Sequence, residues 1–440
     1  MPLNIERGRR GNGIQIVRSV VDTIDSSICN LACQYCDNKT KNLRTKGGFL
    51  PANTIQQILS AADEQSQLDV VLSGGEITMH PEWERVVDAT HILNRTGTTL
   101  ITNGYLLDEQ KAKQIRDSKI SRVCISLDGA TAEVHGYARG KTFEKVMRGL
   151  HLLQNTGKNI AVLSVVHQGN VDHVIELSQF LADNKLANQH HLAALYYSGS
   201  ARDNWRKLIV PIDKMMSLQQ DIDTSFDDFQ KRGLFILFNH YWPLTGLRPK
   251  SGNPRELLSH QLGEQNKATW AVVRSNGDIN ATTAFWGRES VNDPRIGNLD
   301  TEPAEVLFGK LDTLYRSGTL LQLPREVEAK RKFIVEGVFD HMLAETVLGT
   351  GDERIKQDIQ LIPCKPMSEL DVMQTPIDPK YIDQIATLFL ESPNKYRIVQ
   401  HTTGVYLFYD NATAHVILLN EGELGAVQSR IDALQSTIIS

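Results

Sequence analysis

Residues 21–36, "VDTIDSSICNLACQYC", join a short apolar strand pattern to three of the chain's five cysteines. Cys29, Cys33 and Cys36 follow that strand in a C-x3-C-x2-C spacing. A structural zinc site usually closes four ligands, most often as two separated C-x2-C pairs, so zinc is the weaker interpretation. Three thiolates on one loop suit an iron–sulfur cubane that leaves one iron open for a bidentate ligand. The stretch therefore predicts a strand that leads into an iron–sulfur loop.

Two cysteines lie outside this loop. Cys124 lies in the apolar strand pattern "ISRVCISLDG", where a buried core thiol is the usual outcome. Cys364, in "LIPCKPM", is either a buried structural thiol or a group with a chemical role. An odd number of cysteines, with three in one cluster, does not make a disulfide framework. We therefore expect a reducing compartment, the cytoplasm.

The bulk composition excludes several classes of protein. At 440 residues the chain is expected to form two or three domains. Its formal net charge of −5 gives no basic footprint, so nucleic acid is not an expected partner. No apolar run approaches the roughly 20 residues of a membrane span, and no apolar stretch of a signal peptide follows the N-terminal arginines. We expect a globular protein with no membrane partner.

Between residues 22 and 197 the sequence alternates short apolar strands with longer helical patterns. Six such βα repeats predict a parallel sheet covered by helices, either as a barrel or as an open doubly wound sheet. Polar residues and two glycines follow the predicted strands, at the edge where function lies in such sheets. These residues are Cys29, Gly74, Gly75, Glu76, Asn103, Ser126, Asp128 and His167.

Changes of pattern along the chain predict five regions, of which the second holds all six βα repeats. The last region ends in a hairpin pattern and a short helix. The regions are an N-terminal segment (1–21), the barrel (22–200), a helical connection (201–265), a region with a hairpin around Asn276-Gly277 (266–320) and a C-terminal α+β region (321–440).

Four motifs follow one another in order: "CNLACQYC", "LSGGEITMHPEW", "ITNG" and "CISLDGATAEVHGYARGKTFEKVMRGLHLL". Together they resemble the cysteine signature, the glycine-glycine-glutamate element and two strand ends of the radical S-adenosylmethionine (radical SAM) superfamily, in its peptide-modifying branch. The resemblance covers residues 22–200. It implies a partial (β/α)6 TIM-like barrel, followed here by a C-terminal α+β extension.

The resemblance implies that Cys29, Cys33 and Cys36 ligate one 4Fe–4S cluster. It also implies contacts to S-adenosylmethionine from Tyr35, Gly74, Gly75, Glu76, Asn103 and Ser126. Plainer interpretations exist, since the glycines could form only a tight turn and Glu76 could favour a helix start through its charge. The implied chemistry is reduction of the cluster, cleavage of the cofactor to a 5′-deoxyadenosyl radical and abstraction of a hydrogen atom from a substrate.

Residues 272–310 resemble the start of SPASM, a cysteine-rich extension in this superfamily that binds auxiliary clusters. The residue at the cysteine position of its glycine turn is Thr282, and Cys364 is the only cysteine downstream. Because such clusters select sulfur ligands, the extension is expected to be a scaffold without metal. The cysteine triplet would then hold the only cluster, and no auxiliary cluster could accept the electron of the substrate radical.

Three residues are candidates for the chemistry that follows hydrogen abstraction. Return of a hydrogen atom from a thiol would make the protein an epimerase, and Cys364 is the available thiol. His167 could be a general acid or base, or a loop histidine with satisfied hydrogen bonds. Asp128 could belong to the pocket or form a turn before Gly129. A further pocket candidate is Arg139, in "YARG", which could pair with a carboxylate of cofactor or substrate, or lie in solvent.

The branch that these motifs resemble acts largely on ribosomally made peptides, so a peptide is the first expected substrate and a small molecule or carbohydrate the second. The closing hairpin "GVYLFYDNATAHVILLNEGELGAVQSRI" weakly resembles modules that capture a leader peptide by strand addition, although it could simply close a domain. An electron donor such as flavodoxin or ferredoxin would be a second partner. The third interpretation is a non-catalytic iron–sulfur sensor or scaffold. The chain retains all three cysteines and "GGE", which argues against it.

Overall fold

The computed structural model describes most of the barrel and separate parts of the remaining chain. The described residues are 2–7, 16–36, 48–193, 195, 199–238, 256–258, 269–282, 295–316, 333–335, 361–363, 377, 379–401, 404–411 and 415–439. The strands in chain order are β1 (Ile5–Glu6), β2 (Ile16–Ile24), β3 (Asp69–Gly74), β4 (Gly97–Thr102), β5 (Arg122–Ser126), β6 (Asn159–Val165), β7 (Gln189–Ala193), β8 (Phe235–Leu237), β9 (Glu256–Leu258), β10 (Thr269–Val273), β11 (Asp278–Thr282), β12 (Arg295–Asn298), β13 (Phe333–Val335), β14 (Leu361–Pro363), β15 (Tyr396–Gln400), β16 (Tyr406–Asp410) and β17 (His415–Leu419).

The helices cover the sheet of the barrel and build much of the C-terminal part. In chain order they are α1 (Ala52–Glu64), α2 (Trp83–Ala89), α3 (Glu109–Asp117), α4 (Ala132–Arg139), α5 (Phe143–Gln154), α6 (Val174–Asp183), α7 (Ser200–Leu208), α8 (Ile212–Lys231), α9 (Ala304–Arg316), α10 (Pro379–Glu391) and α11 (Glu421–Ile439). Within the described ranges, none of these helices has both the length and the hydropathy needed to span a bilayer.

One ten-stranded sheet forms the centre of the protein, in the order β12-β11-β10-β2-β3-β4-β5-β6-β7-β8. The strands from β2 to β7 are parallel and in sequence order, which confirms the predicted α/β fold. Two further parallel strands flank them, because β10 pairs with β2 and β8 pairs with β7. β11 and β12 complete one edge as antiparallel strands.

Burial on both faces explains why these strands are apolar. All five residues of β5 are buried. The covering helices each present an apolar face, and in α1 this face includes Ile55, Ile58 and Leu59, which are fully buried. Removing one such side chain from water contributes about 2 kcal/mol. The barrel core is therefore a continuous apolar layer between sheet and helices.

Backbone hydrogen bonds set where β2 and α1 begin. β2 begins at Ile16, ahead of the predicted start of the barrel, because its first residues pair with β10 and β3 on either side. α1 begins directly after Pro51, whose carbonyl accepts a hydrogen bond from Ile55 N at 3.0 Å. Asn53 and Thr54, although of types that often cap a helix, lie inside it.

The regions expected at 201–265 and 266–320 share the barrel sheet. The first contains α7 and α8 but then returns to the sheet as β8. The second forms the predicted hairpin, with Gly277 at φ +82° between β10 and β11, and β10 lies directly beside β2. One helix was not predicted separately, namely α4, which begins after Thr131 because that hydroxyl accepts from Val134 N.

Residues 377–439 form a second unit, which we name the C-terminal module. Its antiparallel strands β15, β16 and β17 carry α10 and α11, and Phe389, Phe408 and Val427 share its core. An α+β region was expected at 321–440; the module holds both strands and helices, and its final helix has 19 residues instead of being short. β1 pairs with β15 and β9 pairs with β17, so these two short strands are the edges of a five-stranded sheet.

The C-terminal module contacts the amino ends of the barrel strands. Arg397 is 6% exposed and donates hydrogen bonds to Ser66 O and Gln67 O, each at 3.2 Å. Tyr409, in β16, is also buried, and burial followed by the charge of Asp69 raises the pKa of its phenol. Charged and polar groups therefore join the two units at this end of the sheet.

Candidate active site

The three clustered cysteines lie on residues 28–36, a segment after the carboxyl end of β2 that we name the cysteine loop. Two helices hold its backbone. Gln34 N donates to Ala138 O of α4 at 2.9 Å, and Ser200 N of α7 donates to Cys36 O at 2.9 Å. Each cysteine of the loop is a thiol and is partly exposed. The loop thus presents its sulfur atoms at the edge of the sheet where function was expected.

Gly74 and Gly75 lie against the cysteine loop and leave no space for a side chain. A Cβ on Gly75 would lie 2.2 Å from Ile28 O, and one on Gly74 would lie 2.4 Å from Ile24 O. Gly74 also has a φ of +136°, which residues with side chains rarely adopt. Glu76 N donates to Ile28 O at 3.0 Å across this contact. Glycine is therefore needed here to seat the loop, in addition to any approach of a cofactor.

The Glu76 carboxylate joins the ends of β3 and β4. It is 2% exposed. Oε1 accepts hydrogen bonds from the hydroxyls of Thr78 at 2.5 Å and Thr102 at 2.6 Å, and Oε2 accepts from Asn103 N at 2.7 Å. Hydrogen bonds to a charged group each contribute about 1.5–3 kcal/mol. Glu76 therefore fixes the position of the two strand ends next to the cysteine loop.

Two of the thiols receive N–H donors from outside the loop. Asn103 Nδ2 lies 3.9 Å from Cys29 Sγ, and Arg139 Nη1 lies 3.8 Å from Cys33 Sγ. Within the loop, Leu31 N donates to Cys29 Sγ at 3.4 Å. Donors of this kind stabilise negative charge on sulfur. The contacts therefore suit thiolates that ligate a metal cluster.

A zinc ion and an iron–sulfur cubane need different spacings of their sulfur ligands. Across the described ranges, no three His, Cys, Asp or Glu side chains are placed to hold one ion together. A zinc ion would need its sulfur ligands about 2.3 Å from one centre. A cubane places each of three thiolates on a different iron, so the ligands stand further apart. Three cysteines on one loop match the ligand number of a cubane with one open iron.

A buried charge network lies next to Cys33. Asp128 Oδ2 accepts from Arg139 Nε at 2.8 Å and from the Tyr35 hydroxyl, and Oδ1 accepts from Val165 N at 3.2 Å. Burial alone would raise the pKa of Asp128, but the Arg139 guanidinium holds that pKa well below its usual range. Burial raises the pKa of the Tyr35 phenol well above its usual value. At neutral pH Asp128 is therefore ionised and Tyr35 is a proton donor to it.

Arg139 is buried at 8% exposure, so the alternative of a solvated loop arginine is wrong. Its partner carboxylate belongs to the chain itself. The guanidinium also lies over the Tyr35 ring, 5.2 Å from the centroid. Burial lowers the pKa of Arg139, but the Asp128 carboxylate raises it, and the net effect is a pKa above the usual value. The arginine is therefore a permanent cation beside the cysteine loop.

His167 is fully buried next to this network. Gly169 N donates to its Nδ1 at 3.1 Å, so the neutral ring carries its proton on Nε2. That Nε2 lies 3.9 Å from Asp128 Oδ2, which is too long for a hydrogen bond. The ring stacks on Tyr137, with centroids 5.5 Å apart. His167 is therefore a buried neighbour of Asp128, and no acceptor for its Nε2 lies among the described residues.

The remaining predicted residues fall into two groups. Ser126 is the last residue of β5, 8% exposed, at the same strand end as Asp128. Cys124 is buried in that strand, which confirms the predicted core thiol, and burial raises its pKa. Cys364 lies outside the described residues, and of Thr282 only the backbone is described, at the end of β11. The strand-end candidates are thus brought together, whereas the hydrogen-donor thiol is not placed.

Two polar residues at the strand ends were missed by the sequence reasoning. Thr102 binds Glu76 through its hydroxyl, and Asn170 Nδ2 donates to Asp128 O at 3.1 Å. Asn170 Oδ1 also accepts from His167 N at 2.8 Å. Both residues lie inside strand-end stretches, "ITNG" and "VVHQGNVDHVIELSQFL". Searching every hydrogen-bonding residue near a strand end would have found them.

Comparison with known proteins agrees with this geometry. Residues 23–181 match the sequence model of the radical SAM superfamily. The chain is 27% identical over 206 residues to the AdoMet-dependent heme synthase of Oleidesulfovibrio alaskensis, which covers 46% of this chain and 51% of that protein. It is 34% identical over 187 residues to the mycofactocin maturase MftC of Mycolicibacterium smegmatis, covering 41% and 45%. The chain thus spans about half the length of these curated relatives.

A solved structure of SuiB from Streptococcus suis, bound to precursor peptide SuiA, has a similar fold. The TM-score is 0.53 at 21% identity, and the match covers 70% of this chain and 67% of SuiB. Fold and site define an α/β protein whose three-thiolate loop fits an iron–sulfur cluster. The match to the radical SAM superfamily, whose enzymes use a 4Fe–4S cluster and S-adenosylmethionine, falls on residues 23–181, which include the cysteine loop.

Proposed function

We propose that this chain is a radical SAM enzyme whose cysteine loop binds one 4Fe–4S cluster through Cys29, Cys33 and Cys36. The observation that carries the proposal is the position of these thiols at the carboxyl end of a parallel sheet, with N–H donors from Asn103 and Arg139 on two of them. When bound, the cluster and S-adenosylmethionine supply a 5′-deoxyadenosyl radical that abstracts a hydrogen atom from the substrate.

The chain's own residues hold the loop and keep water from the site. Glu76 and the two glycines before it set the strand ends, and the Asp128 network anchors the other side of the loop. Burial of these groups supports a dry site, which a reactive radical requires. The residues proposed to contact S-adenosylmethionine are Tyr35, Gly74, Gly75, Glu76, Asn103 and Ser126.

A ribosomally made peptide is the proposed substrate. Support comes from SuiB, a structure of similar fold that is bound to a precursor peptide. The second candidate is a small molecule, which the similarity to a heme synthase favours. Strand addition directly to β15 or β17 is disfavoured, because these strands already pair with β1 and β9. A peptide would add beside one of these short outer strands or reach the barrel by another surface. A flavodoxin or ferredoxin in the cytoplasm is the proposed electron donor.

Anaerobic reconstitution with iron and sulfide tests the cluster and the cleavage reaction together. We expect about four irons per chain, a brown protein, and 5′-deoxyadenosine once S-adenosylmethionine and a reductant are added. Cys33→Ala should lose the cluster and the 5′-deoxyadenosine, whereas the matched control Cys124→Ala should keep both, because Cys124 is a core thiol. A colourless protein that binds one zinc would disprove the proposal, and a cluster without cleavage would favour a sensor.

The fate of the substrate radical has a separate test. If Cys364 returns a hydrogen atom, product made in D2O from a peptide substrate should gain one deuterium, because a thiol exchanges its hydrogen with solvent. Cys364→Ala should still form 5′-deoxyadenosine but no epimerised product. Full turnover by this variant would eliminate the epimerase hypothesis. His167 and Asp128 are proposed to support this step by position, since both are buried.

A further inference from the structure

We propose that Arg139, held in place by Asp128, is a positioning residue that raises the reduction potential of the cluster by donating an N–H bond to Cys33. The inference rests on the proposed function, because it requires the cluster. It concerns how readily the cluster accepts an electron, and this reduction must precede formation of the radical. None of the residues proposed to contact S-adenosylmethionine carries a positive charge.

The geometry of the guanidinium is fixed from two directions. Nε donates to Asp128 Oδ2 at 2.8 Å, while Nη1 lies 3.8 Å from Cys33 Sγ. A donor–sulfur contact is longer than one to oxygen because sulfur is larger. Arg139 is the last residue of α4, and Gly140, at φ +73°, follows it as the C-cap. The position of the arginine is therefore set by the end of a helix and by a buried carboxylate.

The cysteine loop and α4 are joined at several points besides this contact. Gln34 N donates to Ala138 O at 2.9 Å, and Gln34 Nε2 donates to Tyr137 O at 2.7 Å. The Tyr35 ring lies under the guanidinium, and its hydroxyl shares the Asp128 carboxylate. Arg139 consequently cannot leave the thiol without disturbing packed neighbours. A cation held this way acts on the sulfur throughout the reaction.

The thiol of Cys29 provides a contrast within the same loop. Two neutral donors reach it, the Asn103 side-chain amide at 3.9 Å and Leu31 N at 3.4 Å. The donor at Cys33 is a cation. Hydrogen bonds to ligand sulfur and the net charge nearby are the means by which a protein sets the potential of an iron–sulfur cluster. The effect is large in a buried site because the local dielectric constant is low.

The sign of the effect follows from charge. Reduction adds one electron to the cluster and its sulfur ligands, so a nearby cation stabilises the reduced form and raises the potential. The Asp128 carboxylate opposes this effect, but it lies behind the guanidinium as seen from Cys33. Removing the cation should lower the potential, and removing the carboxylate charge should raise it. A purely structural pair would shift the potential in the same direction for both changes, or not at all.

The test is a reductive titration of the reconstituted full chain, followed by electron paramagnetic resonance, without S-adenosylmethionine. We expect a more negative midpoint potential for Arg139→Gln, a more positive one for Asp128→Asn and a nearly unchanged one for Arg139→Lys. The matched control is Arg148→Gln, an exposed arginine of α5, which should leave the midpoint unchanged. Iron content and circular dichroism verify that each variant is folded and loaded.

The outcomes separate this inference from the proposed function. An unchanged midpoint in fully loaded Arg139→Gln overturns the inference, as does a midpoint of Asp128→Asn that is unchanged or more negative. If Arg139→Gln does not hold the cluster, the other two variants test the inference. It then requires a more positive midpoint for Asp128→Asn and a nearly unchanged midpoint for Arg139→Lys. If the wild-type chain takes up no 4Fe–4S cluster, the proposed function fails and not merely the role of Arg139.

Discussion

The two ends of the barrel sheet each bury an aspartate paired with arginine, but they use it differently. At the amino end, Asp69 pairs with Arg18 at 2.9 Å and with Arg122 at 3.3 Å, and Thr99 donates to it at 2.9 Å. All four residues lie on strands. At the carboxyl end, Asp128 takes its partners from the cysteine loop, α4 and the end of β6.

This difference separates scaffold from site. A network whose members all lie on paired strands cannot move without breaking the sheet, so it fixes the architecture and supports the C-terminal module. A network assembled from a loop and a helix end positions a reactive group, which here is the Cys33 thiol. Changes at the amino end should therefore alter stability, and changes at the carboxyl end should alter the cluster as well.

The largest effect is expected from Gly75→Ala, at the carboxyl end. A Cβ there would lie 2.2 Å from Ile28 O and 2.7 Å from Asp25 O, both backbone atoms that cannot move aside. We expect a loss of about 5 kcal/mol in the free energy of unfolding, at the upper end of single substitutions, and no cluster uptake. Urea unfolding and iron analysis measure the two effects.

The matched control for this change is Gly136→Ala in α4. Apart from the adjoining backbone of its own helix, no atom of the described residues lies within 4 Å of a Cβ built at Gly136, so alanine fits and should stabilise the helix by about 0.5–1 kcal/mol. The cluster content should be that of the wild type. If Gly75→Ala loads the cluster normally, the cysteine loop does not depend on this close contact and glycine is not required at position 75.

A smaller effect is expected at the amino end from Asp69→Asn. The side chain keeps its shape, but Arg18 and Arg122 lose the carboxylate between them. Removing one partner of a buried ion pair costs about 3–5 kcal/mol. We expect that loss in urea unfolding, with an unchanged midpoint potential of the cluster. Asp88→Asn, at an exposed position of α2, should change stability by less than about 0.5 kcal/mol. A shifted potential in Asp69→Asn would show that the two ends are coupled.

The contrast between the two ends also explains what the sequence could predict. The parallel strands from β2 to β7 followed from apolar runs at regular spacing, and the motifs placed Cys29, Glu76 and Asp128 at their ends. The short strands β8 and β10 were missed as parts of the sheet, because three and five residues carry little pattern and β10 pairs with a strand far away in the sequence.

Contacts within the site were less predictable than its members. Arg139 was expected to bind a ligand or to lie in solvent, but it binds Asp128. That pairing depends on α4, which reverses the chain between the two residues and was not predicted as a separate helix. Glu76 was named from its motif, whereas its partner Thr102 comes from the next strand. A sequence motif identifies residue types, and only the fold determines which of them meet.

A third prediction concerns the attachment of the C-terminal module at the amino end. Arg397 pairs with Glu6 of β1 at 2.7 Å and donates to Ser66 O and Gln67 O, all in a nearly buried position. Arg397→Ala should destabilise the chain by about 2 kcal/mol, since it leaves two carbonyls and a carboxylate without this donor. The measurement is thermal unfolding combined with limited proteolysis, which should release the module earlier than in the wild type.

The control for Arg397 lies within the module itself. Arg430 pairs with Asp383 at 2.7 Å, but their side chains are 44% and 59% exposed. An exposed pair contributes about 0–1 kcal/mol, so Arg430→Ala should leave the proteolysis pattern unchanged. Equal effects of the two substitutions would mean that burial at the amino end does not strengthen the Arg397 contacts.

The smallest effect is a change in pH dependence at His190, which lies in β7 between the two ends. The ring is fully buried between the hydroxyls of Ser164 and Ser178, each at 2.8 Å, and burial lowers its pKa to about 3. The folded chain therefore keeps this histidine neutral, whereas the unfolded chain protonates it below about pH 6.5. Because the unfolded state binds the extra proton, stability falls as the pH falls from about 6.5 towards 3, by about 1.4 kcal/mol per pH unit.

His190→Gln should remove this contribution. In urea unfolding between pH 7.5 and 5, the free energies of unfolding of the wild type and His190→Gln should differ most at pH 7.5. Below about pH 6.5 the difference should shrink by about 1.4 kcal/mol per pH unit, because only the wild type loses this contribution. His91→Gln, at an exposed position, should run parallel to the wild type throughout. Parallel curves for His190→Gln as well would mean that the buried ring takes up a proton in the folded state. The interior between the two charge networks would then be less dry than its burial indicates.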